Sequence, residues 1–199
     1  MMRMANHTLL IGMILLPVFY FGMQALLAPA FPGYSMLRDA TSVLGADGSP
    51  VAGWFNTLAI LGGLLGLVGA WGAYRTLVIA DAGLLKTILL PLVVAMVAAG
   101  SIWAGIFPLP SPLHTMNPST PAMMLMPLIA LVYAWWASQL QSMRLPLLVN
   151  FVAFLCIVPL MFGLVPIDRG AFGGLLQRLL AVTVFLPIGL IGWALRQPS

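Results

Sequence analysis

Side chains able to do chemistry are scarce in this sequence and gather in three stretches. The first, Tyr34 to Asn56 (YSMLRDATSVLGADGSPVAGWFN), is the longest polar run and holds Arg38, Asp39, Asp47 and Asn56. The second, Pro108 to Pro121, holds five prolines and His114. The third, Pro166 to Arg178, holds Asp168, Arg169, Gln177 and Arg178. If Arg38, Asp39, Asn56, His114, Asp168, Gln177 and Arg178 converge, they line one polar pocket. In it a guanidinium could hold phosphate or carboxylate, and Asp39 or His114 could pass a proton. The plainer reading of Arg38 and Asp39 is a solvated pair of neighbours. Asp47 reads as the first residue of an Asp-Gly turn.

Other chemistries fit less well. A nucleophilic centre needs a serine, His114 and an aspartate to meet, and no G-x-S-x-G elbow marks one. A histidine-rich metal site is not possible with His7 and His114 alone. Copper(I) held by His114, Met116, Met123, Met124 and Met126 is chemically allowed, but methionine in apolar helices ordinarily packs. No metal and no cofactor is expected. The eight Lys and Arg residues sit singly between apolar runs, which argues against a nucleic-acid partner. Glycines are plentiful only inside an apolar run, where they read as packing and not as a phosphate-binding loop.

The elements that must position these residues are membrane spans. Of 199 residues, 62% are hydrophobic and 6% charged, against about 25% charged in a soluble domain. Lipid is therefore the main solvent. Six apolar runs are long enough to cross a bilayer: about residues 8–27, 50–74, 85–107, 122–140, 145–164 and 171–195. This predicts an all-α polytopic protein, one six-helix domain over residues 1–199. The N-terminal run, with Arg3 before it and Ala28-Pro29-Ala30 after it, imitates a secretory signal, but its length suits a spanning helix better. The lone Cys156 reads as a small buried hydrophobe.

Between the first two spans, Met36, Leu37, Ala40, Val43 and Leu44 recur at helical spacing. Ser35 can cap the start and Gly45 can follow the end. This predicts a short amphipathic helix at the membrane interface. Ser49 and Pro50 then open the second span. Small residues spaced by four (Gly62, Gly66 and Ala70; Gly69 and Ala73; Ala95 and Ala99; Ser101 and Gly105) predict close packing of spans two and three. Pro108–Pro121 should be extended and stiff. Tyr133, Trp135 and Trp136 read as an interfacial aromatic belt.

Basic residues set the orientation. Arg3, Arg75, Lys86, Arg144 and Arg196 mark one side, and Arg38 and Arg169 the other. Both termini are then cytoplasmic, and Asp39, Asp47, Asp168 and His114 lie outside. The sequon Asn6-His7-Thr8 falls on the cytoplasmic side and is discounted. Six spans with both ends inside permit an inverted three-plus-three repeat. Gly62-Gly63-Leu64-Leu65 echoes Gly173-Gly174-Leu175-Leu176.

Arg178 is the most informative residue. It sits about 10 Å inside the sixth span at 1.5 Å per residue, where a charge needs a partner or a wet cavity. It either snorkels to the headgroups, or it meets Asp39, Asp168 or an anionic ligand. Asn56, early in the second span, should seek a partner across helices.

Several of these motifs occur together in one known family. Tyr34-Ser35, Asp39, Ser42–Gly45, Phe55-Asn56, Gly105-Ile106-Phe107-Pro108, His114 and Gly174-Leu175-Leu176-Gln177-Arg178-Leu179 make the chain resemble the bacterial and archaeal membrane family catalogued as domain of unknown function 998. In that pattern an acidic residue often follows Phe-Pro and often precedes the arginine. Here Leu109 or Pro110, and Gln177, stand in those places. The resemblance implies that the three outer segments form one site, and it implies no activity.

The reading these observations favour is a non-enzymatic integral membrane protein of a bacterial inner membrane. Its partners are membrane lipids, a small-molecule or lipid ligand, or another membrane protein. The alternatives are a membrane-embedded enzyme acting on a lipid-linked substrate, and a small transporter using helices broken at Pro17, Pro127, Pro159 or Pro187.

Overall fold

The computed structural model describes residues 7–197. Arg3 and Asn6, used above for orientation and for the sequon, lie outside them. The chain is all-helical, with no strand among the described residues. Its six long helices are α1 (Ile11–Leu27), α2 (Ala52–Ile79), α3 (Leu84–Ile106), α4 (Thr120–Trp136), α5 (Arg144–Met161) and α6 (Arg169–Leu195). Each belongs to a helical segment long and apolar enough to cross a membrane.

The boundaries moved where local chemistry outweighed hydropathy. α2 runs on through Arg75 to Ile79, so the following turn shrinks to Ala80–Gly83. α4 stops at Trp136, and the chain to α5 is a 3-10 segment, Ser138–Met143. The proline-rich stretch is not extended throughout. It contains one helical turn, Pro112–Thr115, which starts on a proline because the missing N–H costs nothing there. α1, α4, α5 and α6 run unbroken through their prolines.

Burial separates the helices. In α6, 72% of the most apolar window is buried, against 11% for the α5 segment. α6 is thus the central post and α5 lies at the periphery. Cys156 sits on α5 and is exposed on its apolar surface, not buried as expected.

The small-residue spacing does bring α2 and α3 together, and it brings in α1 as well. A Cβ on Gly63 would stand 2.6 Å from the Ala98 carbonyl oxygen, and one on Gly105 2.7 Å from the Asn56 oxygen. On another face of α2, Gly72 lies against the Leu10 amide and Gly69 against Met13, both preceding or within α1. Larger side chains would hold all three backbones apart.

Tyr133 is not part of the aromatic belt. It is fully buried, while Trp135 and Trp136 are exposed. Its hydroxyl donates to the Lys86 carbonyl at 2.6 Å and accepts from the Leu90 amide at 3.0 Å. Those two groups are one helical turn apart, just before Pro91. The hydroxyl therefore bridges the backbone where the proline ring crowds the helix. Tyr133→Phe should leave a buried carbonyl and amide without this partner. The expected cost is about 2 kcal/mol, read as a lower melting transition in detergent. An unchanged transition would show that the two groups bond to each other unaided.

Candidate functional site

Three segments meet at one end of the bundle: residues 28–51, residues 107–119 and the start of α6. The first was expected to contain an amphipathic α-helix. Only a 3-10 segment, Thr41–Gly45, forms. The reason lies in the preceding carbonyls. Met36 and Asp39 give theirs to the Arg178 guanidinium, at 2.7 and 3.0 Å. Leu37 and Arg38 give theirs to the amides of Leu175 and Gly174, at 2.9 and 3.0 Å. An α-helix would need those four consecutive carbonyls for the amides of residues 40–43. Spent on α6, they hold the segment as a strap laid across it.

The Gly-Gly-x-x-Gln-Arg run of α6 is built to receive this strap. A Cβ on Gly174 would collide with the carbonyl oxygens of Asp39 and Met36, the latter at 2.8 Å. Gln177 accepts the Thr41 amide on its Oε1 at 2.7 Å. Arg178 Nη1 also donates to the Gly174 carbonyl at 2.9 Å, and Nη2 to the Tyr34 hydroxyl. Arg178 Nε is buried with no partner. Burial pushes the Tyr34 phenol above its ordinary pKa against the opposing pull of Arg178. The hydroxyl keeps its proton and donates to the Ala40 carbonyl at 3.2 Å.

Arg178 is therefore neither an ion-pair partner nor a snorkelling cation. Among the described residues the one salt bridge joins Arg38 Nε to Asp39 Oδ1 at 2.9 Å. Asp39 also accepts the Ser35 amide at 2.7 Å, and Ser35 Oγ faces the Arg38 amide at 3.4 Å. The Arg38 guanidinium, followed by the Ser35 amide, holds the Asp39 carboxyl below the usual carboxylate range. Asp168 stands apart. It is exposed and caps α6 by accepting the Ala171 amide at 3.0 Å. Asp47 is exposed beside Gly48, whose φ of +84° suits the Asp-Gly turn. Its amide ties the strap end to the Leu109 carbonyl at 2.8 Å.

Behind the strap lies a cavity of about 150 Å³. Of the residues singled out in the sequence, Asn56, His114 and Gln177 line it; Arg38, Asp39, Asp168 and Arg178 do not. Sequence reasoning missed Thr41, Ser101 and Asn117 on its wall. It also missed Gln24, buried in α1, whose Oε1 accepts from the Thr41 hydroxyl at 3.0 Å. The signal for Gln24 was present: it is the only amide side chain in the first apolar run.

The lining has spare hydrogen-bonding capacity of both kinds and no Asp, Glu, Lys or Arg side chain. The Phe107 carbonyl lies 2.8 Å from His114 Nδ1. A carbonyl only accepts, so Nδ1 carries a proton here, and in the tautomer protonated at Nδ1 alone Nε2 is left as an acceptor. Asn56 spends its amide nitrogen on the Gly45 carbonyl at 3.0 Å, leaving Oδ1 as an acceptor. Gln177 spends its oxygen on the strap, leaving its amide nitrogen as a donor. The hydroxyls of Ser42 and Ser101 can act either way. No aspartate lines the cavity, so a serine, histidine and aspartate do not converge. Of the soft donors considered for copper, Met123 lines the cavity with His114, while Met126 is sealed in the core and Met116 is exposed.

The fold and this site define a polytopic membrane protein with a cavity of mixed polar and apolar lining strapped at one end of its helix bundle. The model of a family described as protein of unknown function (DUF998) matches residues 13–194, and the chain belongs to that family. No curated protein and no solved structure matches the chain.

Proposed function

We propose that this protein binds a small amphipathic molecule whose polar head is uncharged and carries hydroxyl or amide groups. The observation that carries the reading is the wall: beside its apolar side chains, its polar groups are amides, hydroxyls and one imidazole, with no Asp, Glu, Lys or Arg among them. Phosphate or carboxylate heads call for a free cation, which favours a neutral head over the anionic one that Arg178 first suggested. On the measure by which one water needs about 10–15 Å³, the cavity of about 150 Å³ is large enough for a head at least the size of glycerol. Of the two candidate acids or bases, His114 lines the cavity, while Asp39 lies off it and is paired with Arg38; a binding role is favoured over an enzymatic one because no carboxylate stands on the wall to work with the imidazole.

Monoacylglycerol is a suitable probe, added to purified protein in nanodiscs. Gln177→Leu removes a donor and Asn56→Leu an acceptor, and each should weaken binding by about tenfold. Native mass spectrometry reads the bound fraction. Preferential retention of anionic phospholipid, unchanged in both variants, would sink the proposal.

The same reading places the strap end outside a bacterial inner membrane, with both termini in the cytoplasm. Supporting this, Lys86 and Arg144 lie over Trp136 and Trp135 at the opposite end, an interfacial arrangement of cations and indoles. In a Cys156→Ser background, single cysteines at Ser111 and Ser142 separate the two sides. An impermeant thiol reagent applied to intact cells should label position 111 and spare 142. The reverse pattern would put the cavity on the cytoplasmic side.

A further inference from the structure

Resting on the reading above, we infer that the head group is a single aromatic ring bearing one hydroxyl, a phenol. The cavity wall is mostly apolar, and its bulk comes from three rings (Tyr20, Phe55 and Phe185) and two thioethers (Met23 and Met123). Tyr20 and Phe185 stack with centroids 4.1 Å apart and planes 18° from parallel, which holds the two rings together between α1 and α6. Rings attract rings through edge and offset-stacked contacts, and a thioether sulfur favours an aromatic partner. The volume of about 150 Å³ suits one ring. An engineered cavity of ~150 Å³ walled by leucine, isoleucine and phenylalanine admits benzene.

The polar share of the wall is smaller than its residue types suggest. Thr41 and Asn117 line the cavity, but both are spent within the protein. Thr41 gives its amide to Gln177 Oε1 and its hydroxyl to Gln24 Oε1. Asn117 gives its amide nitrogen to the Gly100 carbonyl at 3.0 Å and accepts the Ser119 amide on Oδ1 at 3.0 Å. Asn56 Oδ1 is left as an acceptor, with His114 Nε2 in its Nδ1-protonated tautomer, and the Gln177 amide nitrogen is left as a donor. A phenol hydroxyl asks for one acceptor and one donor. It is uncharged at neutral pH, the phenol of tyrosine having a pKa of about 10. A ring thus meets the apolar wall with carbon and the polar groups with one hydroxyl. A polyol of the same size carries a hydroxyl on every carbon, so some must face rings and thioethers without a partner, at the cost of their lost hydration.

The test uses the full chain in nanodiscs and three probes of similar tail: para-octylphenol, its cyclohexanol analogue and monooctanoylglycerol, each at the same mole fraction of the bilayer. Native mass spectrometry should find the phenol bound severalfold more tightly than the cyclohexanol and about tenfold more tightly than the glycerol ester. Ala104, on the cavity wall, offers a way to fill it: Ala104→Leu should abolish phenol binding. Met123→Ala enlarges the cavity and should pass the preference to an octylnaphthol, so the inference does not hang on one variant folding well. Displacement of para-octylphenol by phenol itself assigns the site to free phenols, and failure to displace it assigns the site to a ring carried on a tail; both support the ring. A glycerol or cyclohexanol head that binds as tightly as the phenol and is still weakened by Asn56→Leu and Gln177→Leu overturns the ring and leaves the cavity reading standing. So does a phenol preference that survives both cavity variants. Binding of all three heads that is indifferent to Asn56→Leu and Gln177→Leu overturns the cavity reading itself.

Discussion

Arg178→Leu is expected to free the strap from α6 and to cost on the order of 4 kcal/mol. The guanidinium donates to the carbonyls of Met36, Asp39 and Gly174 and to the Tyr34 hydroxyl. Hydrogen bonds to a charged group contribute about 1.5–3 kcal/mol each, and bonds sharing one donor are not additive. The figure corresponds to a melting transition lowered by roughly 10 °C for a chain of this size. Hydrogen exchange supplies the specific readout: amides of residues 34–45 should lose protection in the variant. Arg178→Lys should recover part of the loss, because an ammonium has three donors but no planar fork to spread over separate carbonyls. A variant with the wild-type transition and a protected strap would mean that the guanidinium is kept for a ligand after all.

Gly174→Ala should be the second most damaging change, at about 3 kcal/mol, although it adds one methyl group. The new Cβ meets two backbone oxygens of the strap, and backbone cannot rotate away as a side-chain end can. Overpacking of this kind typically costs 1–3 kcal/mol (~), and here it also opens the bonds from the Gly174 and Leu175 amides. Gly173→Ala is the control. Its Cβ would find only the Arg38 oxygen, at 3.7 Å, an ordinary contact. Alanine is the better helix former by about 1 kcal/mol, so Gly173→Ala should leave stability unchanged or raise it. Melting transitions of the two variants should thus move in opposite directions, or at least differ by several degrees. Equal losses at both positions would show that the strap does not rest on Gly174.

The contrast explains what could be read from the sequence and what could not. The spans were legible because a bilayer demands about 20 apolar residues in a row, and few other arrangements supply them. Arg178 stood out for the same reason: one guanidinium inside such a run needs an explanation. Its partners did not stand out. The reading looked for a carboxylate, because carboxylates have letters in a sequence. The partners are mostly backbone carbonyls, which every residue carries, so no letter marks them. The diversion of those carbonyls also removed the helix expected over residues 35–45, where the apolar spacing was sound but the backbone was needed elsewhere. Gly173-Gly174 had a letter but was matched to Gly62-Gly63. The two pairs differ: Gly63 admits the backbone of α3, and Gly174 admits the strap. Asn56, His114 and Gln177 line the cavity, since buried amides and imidazoles seek company. Asp168 does not, because the first turn of α6 has a closer use for its oxygen.

The order of synthesis gives the strap a further consequence. Its bonds to the side chains of Gln177 and Arg178, the one at the Tyr34 hydroxyl included, join residues 136 to 144 positions apart. The partner helix is also the last of the six to leave the ribosome and the most enclosed when in place. At about 5–20 residues per second, the strap waits several seconds or more with its carbonyls turned to interfacial water. The five earlier helices lack until then the one that is most enclosed in the finished bundle. Insertion of the sixth helix therefore fastens the strap and completes the cavity in one late step. A chain truncated before Gly173 lacks Gln177 and Phe185 of the cavity wall and every α6 anchor of the strap.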